Sequence, residues 1–167
     1  AGSGRPVVIL NGLLGLNEHW FPCLGPITQR AECLLLQPPL LEMRGKGLSV
    51  EGVAHLIESV LETLTDEPAI MVGNSLGGHV ALRLAHRRPD LVAGLVLIGS
   101  SGLFERSFEQ GVQHDPSHEW LTRKISELFF DPSRMLPGMV DMAYAELSRR
   151  SAARALVRLG RSAKRDH

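Results

Sequence analysis

Ser75 stands in the run Gly73-Asn74-Ser75-Leu76-Gly77, a G-x-S-x-G spacing set between the apolar Ala69-Ile70-Met71-Val72 and a helical pattern that begins at Leu76. A serine at a sharp strand-to-helix turn exposes its Oγ at the carboxyl end of the strand, and glycine two residues to either side leaves room for the bend. The helix dipole and the free N–H of Leu76 then face any oxyanion that develops on an attacked carbonyl. That is the chemistry of acyl transfer, in which Ser75 attacks, an acyl-enzyme forms and water releases it. The plainer alternative is a glycine-rich helix start with Ser75 as its N-cap.

A serine hydroxyl is a weak nucleophile until an imidazole takes its proton and a carboxylate orients that imidazole. The histidines present are poorly placed for this work. His79 is one helical turn beyond Ser75 and is expected in packing or at the surface. His86 precedes Arg87-Arg88-Pro89 near a helix end, and His55 lies inside a helical pattern. His19 is close enough to the first glycine loop to line a pocket. His114 and His118 flank Asp115 in a stretch read as a hinge, where a base is hard to hold to catalytic tolerance. Asp166 and His167 are neighbours at a helix end expected to fray. No H-E-x-x-H spacing and no G-x-G-x-x-G loop occurs, so neither a metal nor a cofactor is expected.

The elements that must carry these residues alternate up to about residue 100. Val7 to Leu10, Cys33 to Leu36 (within Ala31 to Gln37), Ala69 to Val72 and Leu95 to Ile98 read as short, fully buried strands. Between them lie an irregular helix over 18–30, interrupted at Gly25-Pro26, a helix capped by Ser49 and running to Thr65, and a helix from Leu76 to Arg88. Crossovers of this length predict a parallel sheet covered on both faces. After Gly102 no strand-like run follows. Helical patterns at roughly 118–130, 135–148 and 150–164 predict an all-helical lobe. Lys+Arg and Asp+Glu both number 18, so no net field favours nucleic acid or an anionic membrane. No apolar run approaches the roughly 20 residues that span a bilayer, and Ala1 to Pro6 lacks the features of a signal peptide. Cys23 and Cys33 have no C-x-x-C spacing and are expected as free thiols in a cytoplasmic protein.

Three runs together, V-V-I-L-N-G-L-L-G at 7–15, G-N-S-L-G-G-H-V-A-L at 73–82 and R-R-P-D-L-V-A-G-L-V-L-I-G-S-S-G at 87–102, resemble the α/β-hydrolase family. The likeness is strongest to its lidded esterase and carbon–carbon-bond hydrolase branch. It implies that the four strands are family strands three to six, in spatial order four-three-five-six. Residues 1–102 become the hydrolase core and 103–167 a helical lid. It further implies an oxyanion hole made by the backbone N–H groups of Leu13 and Leu76, with Gly12, Gly73 and Gly77 shaping loop and elbow. Where the family usually has His-Gly after strand three, this chain has Asn11-Gly12. Asn11 and Asn74 are candidates to touch a substrate, expected to be a small apolar ester or similar carbonyl compound. The lid's Leu121, Ile125, Leu128, Phe129, Phe130, Met135, Leu136, Met139, Val140 and Met142 are more apolar than a surface helix needs, and a few are expected to roof the site.

In this family the acid and the histidine follow the nucleophile on loops after later strands. No strand follows 95–98, so those loops are missing here. Three readings remain: the first part of a serine hydrolase, a non-catalytic binding protein that keeps the pocket, or one half of a split hydrolase. Leu95-Val96-Leu97-Ile98 shows no alternation and carries no charge, proline or bulge to blunt it as a sheet edge. Further protein, from a missing C-terminal part or a partner chain, is therefore expected beside it.

Overall fold

A computed structural model describes residues 1–103 and 116–165. One parallel sheet is built from β1 (Pro6–Leu10), β2 (Glu32–Leu36), β3 (Ala69–Asn74) and β4 (Val92–Ile98), in the order β2-β1-β3-β4. This is the order that the family resemblance implied. The three crossovers carry α1 (Phe21–Thr28), α2 (Val50–Leu64) and α3 (Leu76–Arg87).

The alternation of side chains along β1 divides the core. Val8 and Leu10 join Met71 and the buried faces of α2 and α3, including Val53, Ile57, Leu61, Val80 and Leu84. Val7 and Ile9 point the other way, into a smaller cluster with Cys33, Trp20, Leu24 and Ile27 beneath α1. Burial on both faces explains why β1 reads as a continuous apolar run. α2 starts where expected: the Ser49 hydroxyl accepts from the Gly52 N–H at 3.0 Å, satisfying one of the first-turn donors.

α1 departs from expectation. In place of a broken helix over 18–30, a 3-10 turn at Asn17–Trp20 leads into an α-helix that continues through Gly25 and Pro26. Pro22 falls in the first turn, where a missing N–H costs nothing, and Thr28 Oγ1 bonds back to the carbonyls of Leu24 and Gly25. Eight residues are too few for Pro26 to do more than remove one bond.

Beyond the sheet, α4 (His118–Ser126), α5 (Met139–Leu147) and α6 (Arg150–Arg165) follow. α4 and α5 bury Leu121, Ile125, Ala143 and Leu147 in a cluster of their own. α6 is strongly sided. Ala152, Ala155 and Leu159 sit in the main core cluster with α2, while Arg150, Arg154, Arg158 and Arg161 are exposed. The small alanines let the two helices approach closely, and the buried Ser162 hydroxyl accepts from the Val50 N–H at 3.0 Å. Leu156 packs against the α4–α5 cluster, so α6 touches both groups. Leu128, Phe130, Leu136 and Met142, from the expected roof, are exposed.

Candidate active site

The turn after β3 is under backbone strain. Ser75 is the non-glycine residue with positive φ among the described residues, at φ 51° and ψ −117°. Such a conformation costs on the order of 1–3 kcal/mol and persists only where the surroundings fix it. Here the Ser75 N–H donates to the Ile98 carbonyl at 3.0 Å, and its own carbonyl accepts from the N–H groups of Gly78 and Ser101 at 3.1 and 3.2 Å. A Cβ on Gly73 would lie 2.4 Å from Gly78 Cα, and one on Gly77 would lie 2.4 Å from the Leu10 carbonyl oxygen. Both glycines are therefore required by space. Ser75 occupies the N-cap position of α3 but is exposed, and its side chain makes no capping hydrogen bond.

The loop after β1 lies against this turn. A Cβ on Gly12 would be 3.2 Å from Ser75 Cβ and 3.0 Å from Asn74 Oδ1, so the loop passes close to the turn with little room for a side chain there. The loop closes on itself through the Gly15 N–H, which donates to the Gly12 carbonyl at 3.1 Å. Leu13, half-buried, and Leu76, buried at the first position of α3, thus sit on the two backbone segments that meet at Ser75. The two asparagines of the site are each hydrogen-bonded within the chain. Asn11 is buried; its Nδ2 donates to Asn17 Oδ1 at 2.8 Å and its Oδ1 accepts from Trp20 Nε1 at 2.6 Å. Asn74 Nδ2 donates to the Ile98 carbonyl at 3.1 Å, joining the turn to the end of β4. The Asn11 amide is thus bonded to two side chains, and the Asn74 amide to backbone. Asn17 and Trp20 went unnoticed in the sequence; the available signal was the indole N–H, which needs an acceptor when its ring is packed.

The profile of the α/β hydrolase fold family matches residues 5–140. The chain belongs to this family. It is 34% identical over 166 residues to the 2-hydroxymuconate semialdehyde hydrolase of Pseudomonas sp. strain CF600, covering 86% of this chain and 54% of that protein. It is 28% identical over 118 residues to the chloroplastic protein PHYLLO of Arabidopsis thaliana, covering 60% of this chain and 7% of that one. Among solved structures, an α/β hydrolase enzyme from the metagenome of sediments of the Mar Chica lagoon, Morocco, superposes with a TM-score of 0.72 at 27% identity, over 99% of this chain and 61% of its own. The chain therefore spans little more than half the length of these hydrolases, and a small fraction of PHYLLO.

Five of the chain's seven histidines lie among the described residues. His79 is buried in α3 and its ring lies where a Cβ on Gly102 would come within 2.5 Å of Cδ2. His19 Nδ1 accepts from the Leu16 N–H at 3.4 Å. His55 lies 3.6 and 3.5 Å from Glu51 and Glu58, and His86 is exposed. His118 Nε2 meets Asp141 Oδ1 at 2.7 Å, a bridge between α4 and α5 with both side chains in solvent. His114, Asp115, Asp166 and His167 lie outside the described residues. Among the described residues no group of three or more histidine, cysteine, aspartate or glutamate side chains could hold a metal ion. Nor is any described helix long and apolar enough to cross a membrane.

Behind the turn, charge ties α3 to α2. Arg83 and Arg87 reach Glu51, Arg87 and Arg88 reach Glu58, and Arg88 also meets Glu62 and Asp90. Partial burial raises the Glu51 carboxyl, but hydrogen bonds from Arg83 and Arg87 outweigh it and hold the group below the usual range. Arg88 does the same for Glu58 and Asp90. These pairs link α2 to the helix whose Gly78 and His79 N–H groups donate to the Ser75 carbonyl.

Proposed function

We propose that this hydrolase is a serine hydrolase acting on an ester or similarly activated carbonyl through an acyl-enzyme on Ser75. The observation that carries the reading is the exposed, left-handed serine at the carboxyl end of a central strand, strained and hydrogen-bonded at the backbone yet with an uncapping side chain. The N–H groups of Leu13 and Leu76 receive the oxyanion. Preorganised donors of this kind are each worth a factor of about 10²–10³ in rate. The substrate is a small, largely apolar carbonyl compound; similarity to a semialdehyde hydrolase supports that class. Residues 103–167 act as its lid.

The acid and the histidine come from protein outside these 167 residues, seated beside β4. Leu95, Val96 and Ile98 are 37, 46 and 44% exposed on that strand, and the chain spans about half of its relative. Such an apolar edge without gatekeeping charge is built to be paired. The free thiols of Cys23 and Cys33 suit a cytoplasmic setting.

The test is made on the complete protein with a fluorophosphonate probe and a p-nitrophenyl short-chain ester. Labelling at Ser75, with ester turnover lost in Ser75→Ala, is the expected result. A complete protein that neither takes the probe nor turns over the ester is the non-catalytic binding protein instead.

A further inference from the structure

An oxyanion donor on a loop must be held to a fraction of an ångström, and a loop has no ladder of backbone bonds to do this. The 11–15 loop has one internal turn bond, Gly15 N–H to the Gly12 carbonyl. We infer that Asn11, Asn17 and Trp20 are positioning residues for acyl transfer, a side-chain brace that holds the Leu13 amide against Ser75; this rests on the serine-hydrolase reading above.

The direction of every bond in the brace is forced. An indole N–H can only donate, so the Asn11 oxygen must face Trp20, at 2.6 Å. That leaves the Asn11 amide nitrogen as donor to Asn17 Oδ1 at 2.8 Å. Asn17 is then fixed in turn: its Nδ2 faces the Leu35 carbonyl at 3.4 Å, and its backbone N–H donates to Gln37 Oε1 at 3.1 Å. One chain of polar contacts thus runs from the 3-10 turn, through the oxyanion loop, to the end of β2. Both of its ends are anchored. The Trp20 ring packs with Val7, Ile9 and Cys33 under the sheet, and Leu35 belongs to β2 itself. Asn11 is 7% exposed, so loss of a partner leaves a polar group that water reaches poorly. A Cβ on Gly15 would fall 3.0 Å from Asn11 Cβ, which shows how closely the loop wraps the braced side chain. The brace references the loop to β1 and β2 of the sheet whose β3 carries Ser75, so loop and nucleophile share one frame.

Trp20→Phe keeps the packed ring and deletes the first donor, while Asn17→Ala deletes the far link without touching the ring. In the complete protein, with the p-nitrophenyl ester, each variant is expected to lower kcat about tenfold with KM within about twofold, because the amide is displaced without being lost. The rate of fluorophosphonate inactivation should fall in parallel, since the phosphoryl oxygen of the adduct takes the oxyanion's place. Circular dichroism and the denaturation midpoint establish that the fold is kept; if Trp20→Phe does not fold, Asn17→Ala carries the test. A kcat within twofold of the parent in the folded variants, or a loss confined to KM, overturns the brace while Ser75-dependent turnover stands. Turnover that survives Ser75→Ala overturns the nucleophile, and the brace with it.

Discussion

Strands β3 and β4 lie side by side in the sheet and are written in nearly the same apolar alphabet, Ala-Ile-Met-Val-Gly-Asn against Val-Ala-Gly-Leu-Val-Leu-Ile. β3 is buried along its length at alternate positions, with Met71 at 0% exposure, and ends in the strained turn at Ser75. β4 exposes four of its seven residues. It nonetheless serves the same turn, because its last carbonyl, at Ile98, receives both the Ser75 N–H and the Asn74 amide. The comparison separates two demands on a strand. A central strand can store strain at its end because neighbours on both sides hold it. An edge strand supplies that hold and is left with an open side of its own.

The largest effect falls at the end of β3. Ser75→Ala in the complete protein is expected to lower turnover by at least about 10⁴-fold, with the denaturation midpoint unchanged or raised, since loss of a triad serine removes nearly all of the chemistry. Ester hydrolysis and urea denaturation on the same preparation check both halves; a residual rate of a tenth would rule out the nucleophile.

The second effect contrasts the glycines. Gly77→Ala should destabilise by about 2–3 kcal/mol, because its Cβ would enter the space of the Leu10 and Asn11 carbonyls, which are backbone and cannot yield cheaply. Gly94→Ala on β4 meets nothing within 4 Å and should be neutral or stabilising by about 0.5 kcal/mol. Chemical denaturation of the pair reads the difference; equal costs would mean that crowding at the turn is not what demands glycine.

Val96 sharpens the reading of the open edge. Truncation to alanine should cost about 1–2 kcal/mol in the complete protein, where β4 is covered as proposed, and about 0.5 kcal/mol or less in residues 1–167 alone. Similar small costs in both would show that nothing packs on this strand.

The smallest effect is electrostatic. Arg88, with Arg87, keeps the Glu58 carboxyl below its ordinary 4.5, so its contribution to stability is complete above that pH and is lost as pH falls through the lower folded value. Denaturation midpoints taken between pH 7 and pH 3 should decline through this window by an amount of order 1 kcal/mol or less for this group. Glu58→Gln should be less stable at pH 7 and flatter over the same range; an unchanged slope would remove the network from the account of how α3 is held.

Much of the fold was legible because its signals are local. Short β-branched runs, the Ser49 cap and the glycines around Ser75 each state their conformation within a few residues, and the order of the four strands followed once the family resemblance was drawn. α1 was misjudged for an equally local reason: Gly25-Pro26 reads as a break, yet one missing bond is tolerable in an exposed, two-turn helix packed on β2. The role of Asn11 was hidden because its partners, six and nine residues away, are set by the fold of a 3-10 turn that carries no periodicity of its own.

What the sequence determined by itself was the turn at Ser75: a buried strand, a serine flanked by glycines at two residues and a helix to follow leave the backbone little else to do. Tertiary structure decided the rest. Only the pairing of β3 with β4 brings the Ile98 carbonyl to the Ser75 amide, only the packing of the core brings the loop at Gly12 close to Ser75, and only the seat of α6 on α2 gives Val50 its acceptor in Ser162. The physical reason is range. Conformational preference acts over a turn or two of chain, whereas a hydrogen bond across 23 residues or more depends on which surfaces the hydrophobic core has already brought together.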